Sequence, residues 1–190
     1  MSLSKKYRYV KKYCVENDIF YLKANIEFPK ESIDEALQIL HEGYFVKHRG
    51  GESEGWQSCA LWGWGKNKPE YYHTMNPSTY GYIEKEVVWG WTEIAEIAPY
   101  TKKFLEDHYD MTLMRRCRFM LLEPGGFIAP HNDMNEHVLS PVNIALNHPK
   151  GCMMKMAHHG TVPFKEGEAY LLDVGNTHAY FNKSDEDRYH

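Results

Sequence analysis

The segment Phe-Ile-Ala-Pro-His-Asn-Asp, residues 127–133, decides the interpretation of the C-terminal part of the chain. It is a short β-type run that leads into a His-x-Asp pair. Residues two apart on a strand point to the same face, so His131 and Asp133 share one side. A carboxylate on an interior face needs a partner or a metal ion, because burying it alone is costly. The segment therefore predicts a strand that carries two metal ligands.

Similar β-type runs, separated by turn residues, fill the chain after residue 115. Seven or eight short strands at this spacing predict a sandwich or jelly roll. One of the predicted turns is Glu123-Pro124-Gly125-Gly126, directly before the quoted segment. The predicted strands are 116–122, 127–131, 138–146, 152–157, 161–164, 169–174 and 178–181.

The first 115 residues have a mixed pattern. Apolar residues at helical spacing predict an amphipathic helix from about Pro29 to Glu42. A second helical region is predicted from Thr92 to His108, with Pro99 suited to a first helical turn. Between them, the Gly- and Trp-rich stretch Gly50 to Gly65 predicts strand-loop-strand, and Asn67 to Gly81 predicts a long loop.

Length and charge narrow the class of protein. A chain of 190 residues predicts one domain, with residues 1–115 packing on a jelly-roll core of residues 116–190. The net charge is −4 and no basic stripe is visible, which argues against nucleic-acid binding. No long apolar run or signal peptide is visible, so we expect no membrane association. Four cysteines without CxxC spacing indicate reduced thiols in a cytoplasmic protein.

A third metal ligand is predicted at His178. It follows the turn Gly175-Asn176-Thr177 and begins another short strand, which can run beside the His131 strand. Two imidazoles and one carboxylate on one face of a metal, with the other face open, form the ligand set of a mononuclear non-haem Fe(II) oxygenase. The chain has eleven histidines, so the alternative is a chance His-x-Asp pair and a surface histidine.

Arg188, ten residues after His178, is a candidate clamp for a carboxylate. A planar guanidinium binds a carboxylate through two parallel hydrogen bonds. If a five-residue hairpin loop spans Lys183 to Asp187, Asn182 pairs with Arg188, and Arg188 shares the face of His178. A four-residue loop reverses that face. The alternative is a surface arginine within an acidic run.

Several motifs occur in a fixed order from about Ser32 to the end of the chain. They are Gly55-Trp56-Gln57-Ser58 through Leu61, Trp91-Thr92-Glu93 through Pro99, Arg116-x-Arg118-Phe119-Met120-x-Leu122 with Pro124-Gly125, His131-x-Asp133, and Gly167-Glu168 through His178, Asn182 and Arg188. In this order and spacing they resemble the aspartyl/asparaginyl β-hydroxylase family of Fe(II)/2-oxoglutarate dioxygenases.

The resemblance implies a mainly β fold with flanking helices, built on a cupin-like double-stranded β-helix. It implies that His131, Asp133 and His178 bind Fe(II) and that Arg188 binds the distal carboxylate of 2-oxoglutarate. It further implies an O2-dependent hydroxylation of an unactivated C–H bond, with release of succinate and CO2. The expected substrate is a small-molecule amino acid, or an amino-acid side chain in a peptide.

The chain departs from the family at one point. Where family members carry Arg-x-His near the co-substrate, this chain has Pro141 and Asn143. Asn143 keeps a hydrogen-bond donor for the co-substrate, but the positive charge is missing.

Three further side chains are candidates for substrate binding. Arg116 and Arg118 share a face of a predicted strand, where either can bind a substrate carboxylate or form a salt bridge at the rim. Trp56 can line the substrate pocket or pack in the core. His148 is expected beside a turn, without a functional partner.

Two other functions are compatible with parts of the sequence. A cupin-like metalloprotein that does not use 2-oxoglutarate fits Gly167-Glu168 through His178, although such proteins offer His-x-His where this chain has Asp133. A non-catalytic jelly-roll binding module is the second alternative. Arg188 favours the dioxygenase over the cupin-like protein, because a cupin isomerase or sugar-binding cupin has no need for a carboxylate clamp.

Overall fold

Two antiparallel sheets and a small helical layer make up the molecule. The structure is a computed structural model that describes residues 13–48, 52–64, 81–112, 114, 116–133 and 139–190. The loop predicted for Asn67 to Gly81 therefore lies outside the described residues, except for Gly81. In chain order the strands are β1 Tyr21–Glu27, β2 Val46–Lys47, β3 Glu54–Trp64, β4 Trp89–Trp91, β5 Cys117–His131, β6 Leu139–Ile144, β7 Cys152–Met156, β8 Gly160–Val162, β9 Glu168–Asp173, β10 His178–Asn182 and β11 Arg188–Tyr189.

The chain alternates between the sheets after residue 116. The large sheet has the order β2-β3-β5-β10-β7-β8, with β4 beside β3 and β11 beside β5, and the small sheet has the order β1-β9-β6. From β5 the chain crosses to β6, returns to β7 and β8, crosses again to β9 and returns to β10. This winding around the space between two sheets is a double-stranded β-helix, as the sequence predicted.

The outer face of the large sheet packs against the helices through what we call the helix-side core. Its buried members include Ile39, Leu61, Ile94, Phe119 and Leu121. Each fully buried side chain of this kind contributes roughly 1.5–3 kcal/mol to folding. This layer therefore stabilises the fold mainly through apolar contacts.

The inner face of the same sheet packs against the small sheet through what we call the inter-sheet core. Its buried members include Leu122, Ile128, Met154, Tyr170 and Leu172. Adjacent residues of β5 therefore belong to different cores, because successive side chains of a strand point to opposite faces. The inter-sheet core reaches the predicted metal ligands, and the helix-side core does not.

Two helices cover the outer face, and a buried carboxylate joins them. Helix α1 (Glu31–His41) lies within the predicted range, and α2 (Pro99–His108) begins at a proline after a 3₁₀ turn, Glu93–Ile97. The Glu35 carboxylate of α1 accepts hydrogen bonds from the backbone N–H groups of Tyr100 and Thr101, at 2.6 and 3.0 Å. These N–H groups have no partner inside α2, and the helix dipole favours a negative charge there.

Turn-like residues within β5 form a bulge instead of the predicted turn. The strand runs from Cys117 to His131 without reversing, and residues 123–126 bulge opposite Gly55 of β3. Gly125 has φ +75°, and a Cβ on Gly126 would lie 2.8 Å from the Glu123 carbonyl oxygen. Glycines permit this close approach. The two predicted strands are thus one strand.

The hairpin predicted after Asn182 is also wrong. β11 pairs with β5, Arg188 opposite Leu122, instead of folding back on β10. Residues 183–187 leave the sheet, and the chain then re-enters it as β11, which pairs with β5 as β10 does. The Asn182 side chain fixes this excursion by donating to the carbonyl oxygens of Leu122 and Glu186, both at 2.8 Å.

Other expectations meet the structure as follows. Predicted strands 138–146 to 178–181 match β6 to β10 with ends shifted by at most two residues. The stretch Gly50 to Gly65 does not form strand-loop-strand, because among its described residues a single strand, β3, runs from Glu54 to Trp64. All four cysteines are free thiols, as predicted. Among the described residues no helix is long and apolar enough to cross a membrane. The single-domain division stays a prediction.

Candidate functional site

His131, Asp133 and His178 meet at one end of the two central strands. His131 ends β5, His178 begins β10, and the two residues are directly paired. Asp133 lies two residues beyond the strand, where its backbone N–H donates to the Val174 carbonyl at 2.9 Å. One ligand atom from each of the three side chains lies within 4.8 Å of the others. The structure thus brings the predicted ligand set together.

The histidine rings are oriented by the backbone. Nδ1 of His131 lies 2.7 Å from the Ala129 carbonyl, and Nδ1 of His178 lies 2.9 Å from the Asn176 carbonyl. Each Nδ1 therefore carries the proton, which leaves the Nε2 lone pairs for a metal. These Nε2 atoms lie 3.7 and 4.0 Å from the Asp133 carboxylate. The donor set and its spacing fit a divalent ion held between the three groups.

Burial and exposure divide the site into two sides. Burial lowers the pKa of His178, which favours the neutral, metal-binding form of its ring. The His178 side chain is 3% exposed, whereas the Asp133 side chain is 42% exposed. The three ligands therefore stand at the border between the inter-sheet core and solvent, where a bound ion keeps an accessible side.

Arg188 lies on the same inner face, deeper in the molecule. Its guanidinium lies 4.9 Å from the Tyr180 ring centroid and 5.7 Å from that of Phe164. The side chain is 4% exposed, and its Nε has no hydrogen-bond partner among the described residues. Burial lowers the pKa of Arg188 to about 10, so it stays charged at neutral pH. Arg188 thus shares the face of His178, one of the two faces that the sequence left open, although the hairpin on which that choice depended does not form.

Two histidines beside Arg188 were missed as site residues. Nδ1 of His190 lies 3.2 Å from Nη2 of Arg188 and accepts its hydrogen bond. His148, predicted beside a turn without a functional partner, has its ring 6.4 Å from that of His190. The two-residue period of a strand could have predicted the position of His190, because residues 188 and 190 share a face. The His148 contact joins distant parts of the chain and has no local signal.

Asn143 also faces the inter-sheet space. It is paired with Tyr170 of β9, and paired residues of antiparallel strands share a face. The Tyr170 ring lies 4.9 Å from the Phe164 ring, which also contacts Arg188. Asn143 and Arg188 thus border the same part of the interior.

Of the three substrate-binding candidates, Trp56 lies beside the predicted metal ligands, and Arg118 is linked to Trp56 through His48. The Trp56 ring is 9% exposed and lies 6.5 Å from the His131 ring. Nη1 of Arg118 lies 3.0 Å from Nε2 of His48, a buried histidine that sequence reasoning missed. Arg116 precedes β5 and is half-buried.

His48 connects these residues into one group. Its Nδ1 lies 2.8 Å from the Ser58 hydroxyl, and its ring is 4.1 Å from the Trp56 ring. Ser58 and Trp56 are two residues apart on β3, so both point to the inner face. A polar group of Arg118, His48 and Ser58 thereby adjoins the tryptophan beside the metal ligands.

The chain is similar to a known protein family and to several solved structures. A family model described as aspartyl/asparaginyl beta-hydroxylase matches residues 30–190. No curated protein matches the chain. Similar solved structures include a Pseudomonas putida prolyl-4-hydroxylase, with 14% identity, TM-score 0.48, and coverage of 95% of this chain and 94% of that one. Another is a 2OG-Fe(II) oxygenase family oxidoreductase from Burkholderia pseudomallei, with 10% identity, TM-score 0.47, and coverage of 95% and 85%. These comparisons give no support to the cupin-like or non-catalytic alternatives.

Proposed function

Since the chain belongs to the aspartyl/asparaginyl β-hydroxylase family, we propose that His131, Asp133 and His178 hold the Fe(II) ion on which its reaction depends. The family makes the chain a 2-oxoglutarate- and Fe(II)-dependent hydroxylase. The observation that carries the assignment of ligands is the cluster of three donor atoms within 4.8 Å. Two Nδ1–carbonyl hydrogen bonds support it, because they aim both Nε2 atoms at the Asp133 carboxylate.

We assign the distal carboxylate of 2-oxoglutarate to Arg188. The guanidinium is buried, charged and stacked between two aromatic rings, and such a cation gains most from a carboxylate partner. It shares the inner face with His178, so an elongated dicarboxylate can extend from the metal ligands towards it. Asn143, on the opposing sheet, is the proposed additional donor to the co-substrate.

The residues of the site divide the work of the reaction. An Fe(II) ion held by His131, Asp133 and His178 would supply the activation of O2 that is coupled to the conversion of 2-oxoglutarate into succinate and CO2. Arg188 holds and orients the co-substrate, and the Tyr180 and Phe164 rings exclude water around its guanidinium. His131 and Asp133 keep one side of the metal position towards solvent, where the substrate C–H bond can approach.

We propose a carboxylate-bearing substrate, either a free amino acid or an amino-acid side chain of a peptide. Arg118 provides donors next to Trp56, where Nε2 of His48 accepts from its guanidinium, and Trp56 adjoins His131. A carboxylate held at Arg118 would lay its carbon chain along the tryptophan ring towards the metal position. Arg116, which directly precedes β5, is the proposed outer contact of a larger substrate.

The first test is 2-oxoglutarate turnover. We expect the Fe(II)-loaded protein to form succinate from 2-oxoglutarate under air, and His131→Ala to lower the rate by a factor of at least about 100. His41→Ala, which removes an exposed histidine at the end of α1, is the matched control and should turn over like the parent. Equal succinate formation by the His131→Ala variant would contradict the assigned ligands.

A second measurement distinguishes the dioxygenase from the cupin-like metalloprotein that does not use 2-oxoglutarate. Without O2, the parent protein titrated with Fe(II) and then 2-oxoglutarate should develop a weak visible charge-transfer band, and Arg188→Met should require much more 2-oxoglutarate to reach it. Binding of Fe(II) with no response to 2-oxoglutarate would favour the cupin-like alternative.

A further inference from the structure

Three buried nitrogen atoms without hydrogen-bond partners lie around the end of β11. They are Nε of Arg188, Nε2 of His190 and Nδ1 of His148, and each lacks a partner among the described residues. Leaving a buried donor or acceptor unpaired costs roughly 1–3 kcal/mol. Three such atoms in one place indicate a site whose partner is a ligand.

The three side chains form one connected group. Nη2 of Arg188 donates to Nδ1 of His190, 3.2 Å away, so the proton of the neutral His190 ring is on Nε2. His190 is nine-tenths buried, and its ring lies 4.7 Å from that of Phe164 and 6.4 Å from that of His148. Phe164 also contacts Arg188, so the four side chains line one small volume between the sheets.

The charges in this volume favour an anion. No Asp or Glu side chain forms an ion pair with Arg188 within the described part of the chain. Both imidazoles are neutral here, because burial, followed by the nearby Arg188 charge, lowers the pKa of each. A neutral imidazole can donate one hydrogen bond to an anion without adding a second buried cation.

We propose that His190 and His148 complete, with Arg188, one carboxylate subsite that binds the distal end of the co-substrate through three side chains. This inference rests on the proposed function, since it assigns 2-oxoglutarate to this protein.

The test measures binding rather than turnover. Mn(II)-loaded protein is titrated with 2-oxoglutarate by calorimetry, and with 2-oxobutyrate, which has no distal carboxylate. We expect His190→Phe and His148→Phe each to weaken 2-oxoglutarate binding by about tenfold, the effect of one charge-assisted hydrogen bond. Binding of 2-oxobutyrate and of Mn(II) itself should stay at the parent level.

Two variants control for structural damage. His190→Gln keeps an N–H donor near the position of Nε2 and should restore most of the binding lost in His190→Phe. Tyr189→Phe changes the neighbouring residue, whose ring faces Phe45 on the helix side, and should bind 2-oxoglutarate like the parent. An equal loss of 2-oxobutyrate binding in His190→Phe would show general disruption and overturn the subsite.

The outcomes also separate this subsite from the proposed function. If Arg188→Met loses 2-oxoglutarate binding and both histidine variants keep it, Arg188 acts alone: the subsite is overturned and the proposed function stands. If neither the parent nor any variant binds 2-oxoglutarate in the presence of Mn(II), both are overturned.

Discussion

The two faces of the large sheet use the same strands for different purposes. On the helix side, Leu61, Phe119 and Leu121 pack among apolar neighbours. On the inter-sheet side, Trp56, His178 and Arg188 lie among the apolar residues. Among the described residues, four of the five buried side-chain polar atoms without partners lie on this second side, Nε1 of Trp56 and Nε of Arg188 among them; the fifth, the Tyr109 hydroxyl, lies beside Phe104 at the end of α2. One face therefore mainly stabilises the fold, and the other holds most of the buried polar atoms without partners.

Strand β11 shows the contrast within three residues. Arg188 and His190 point into the inter-sheet space, whereas Tyr189 between them belongs to the helix-side core. The stability of the outer face allows the inner face to keep unpaired polar atoms, which cost free energy until a ligand binds.

The strongest test of this comparison removes apolar volume from the helix side. Leu61 is completely buried, so Leu61→Ala should lower the free energy of unfolding by about 2–5 kcal/mol, measured by urea denaturation. Leu37→Ala is the control, because Leu37 is 36% exposed on α1 and should change stability far less. Where Leu61→Ala remains folded, its 2-oxoglutarate binding should equal that of the parent. A large loss of binding at unchanged stability would show that the two faces are not separate.

A second, smaller effect is expected at the bulge of β5. Gly126→Ala places a Cβ 2.8 and 2.9 Å from the Glu123 and Glu54 carbonyl oxygens, so the backbone has to shift. We expect a loss of about 1–3 kcal/mol in unfolding free energy. Gly90→Ala, a strand glycine with open space around it, should be neutral or stabilising. Equal effects of the two changes would show that the bulge does not need its glycine.

The smallest expected effect is a pH dependence of stability on the inter-sheet side. His190 and His148 face each other and Arg188, and both have a lowered pKa in the folded protein. In the unfolded chain they take up protons near pH 6.5, so stability falls as the pH is lowered below that value. Between pH 6 and 5, His190→Gln should remove about 1 kcal/mol per pH unit of this dependence. His41→Gln, on the exposed end of α1, should leave the slope unchanged.

Local spacing was sufficient to predict the ligand cluster. His131 and Asp133 were predicted to share a side from a two-residue period; they do meet, although Asp133 lies two residues beyond β5, where its backbone N–H is bonded to the Val174 carbonyl. His178 was expected on a neighbouring strand, which the pairing of β10 with β5 confirms. The amphipathic helix near Pro29 to Glu42 was similarly predictable, since its apolar residues follow the helical period. These signals depend on neighbours along the chain.

The wrong predictions concern where the chain reverses and which strands pair with each other. Glu123–Gly126 and residues 183–187 have the composition of turns, and composition does not tell a reversal from a bulge or an excursion. The outcome depends on strands far away in sequence: β3 lies opposite the first segment, and β5 pairs with the strand after the second. The contacts of His48 with Arg118 and of His148 with His190 were missed for the same reason.

The pairing of both β10 and β11 with β5 has a consequence for how this protein can vary. His178 is set opposite His131, and Arg188 opposite Leu122, so the length of β5 between these two positions fixes the distance between the proposed metal ligand and the proposed carboxylate clamp. Residues 183–187 only connect β10 to β11. The length of this connection can change in evolution without moving His178 or Arg188, and a search for relatives by a fixed His-to-Arg spacing would overlook such proteins. A change in the β5 bulge, in contrast, would alter the distance between His178 and Arg188.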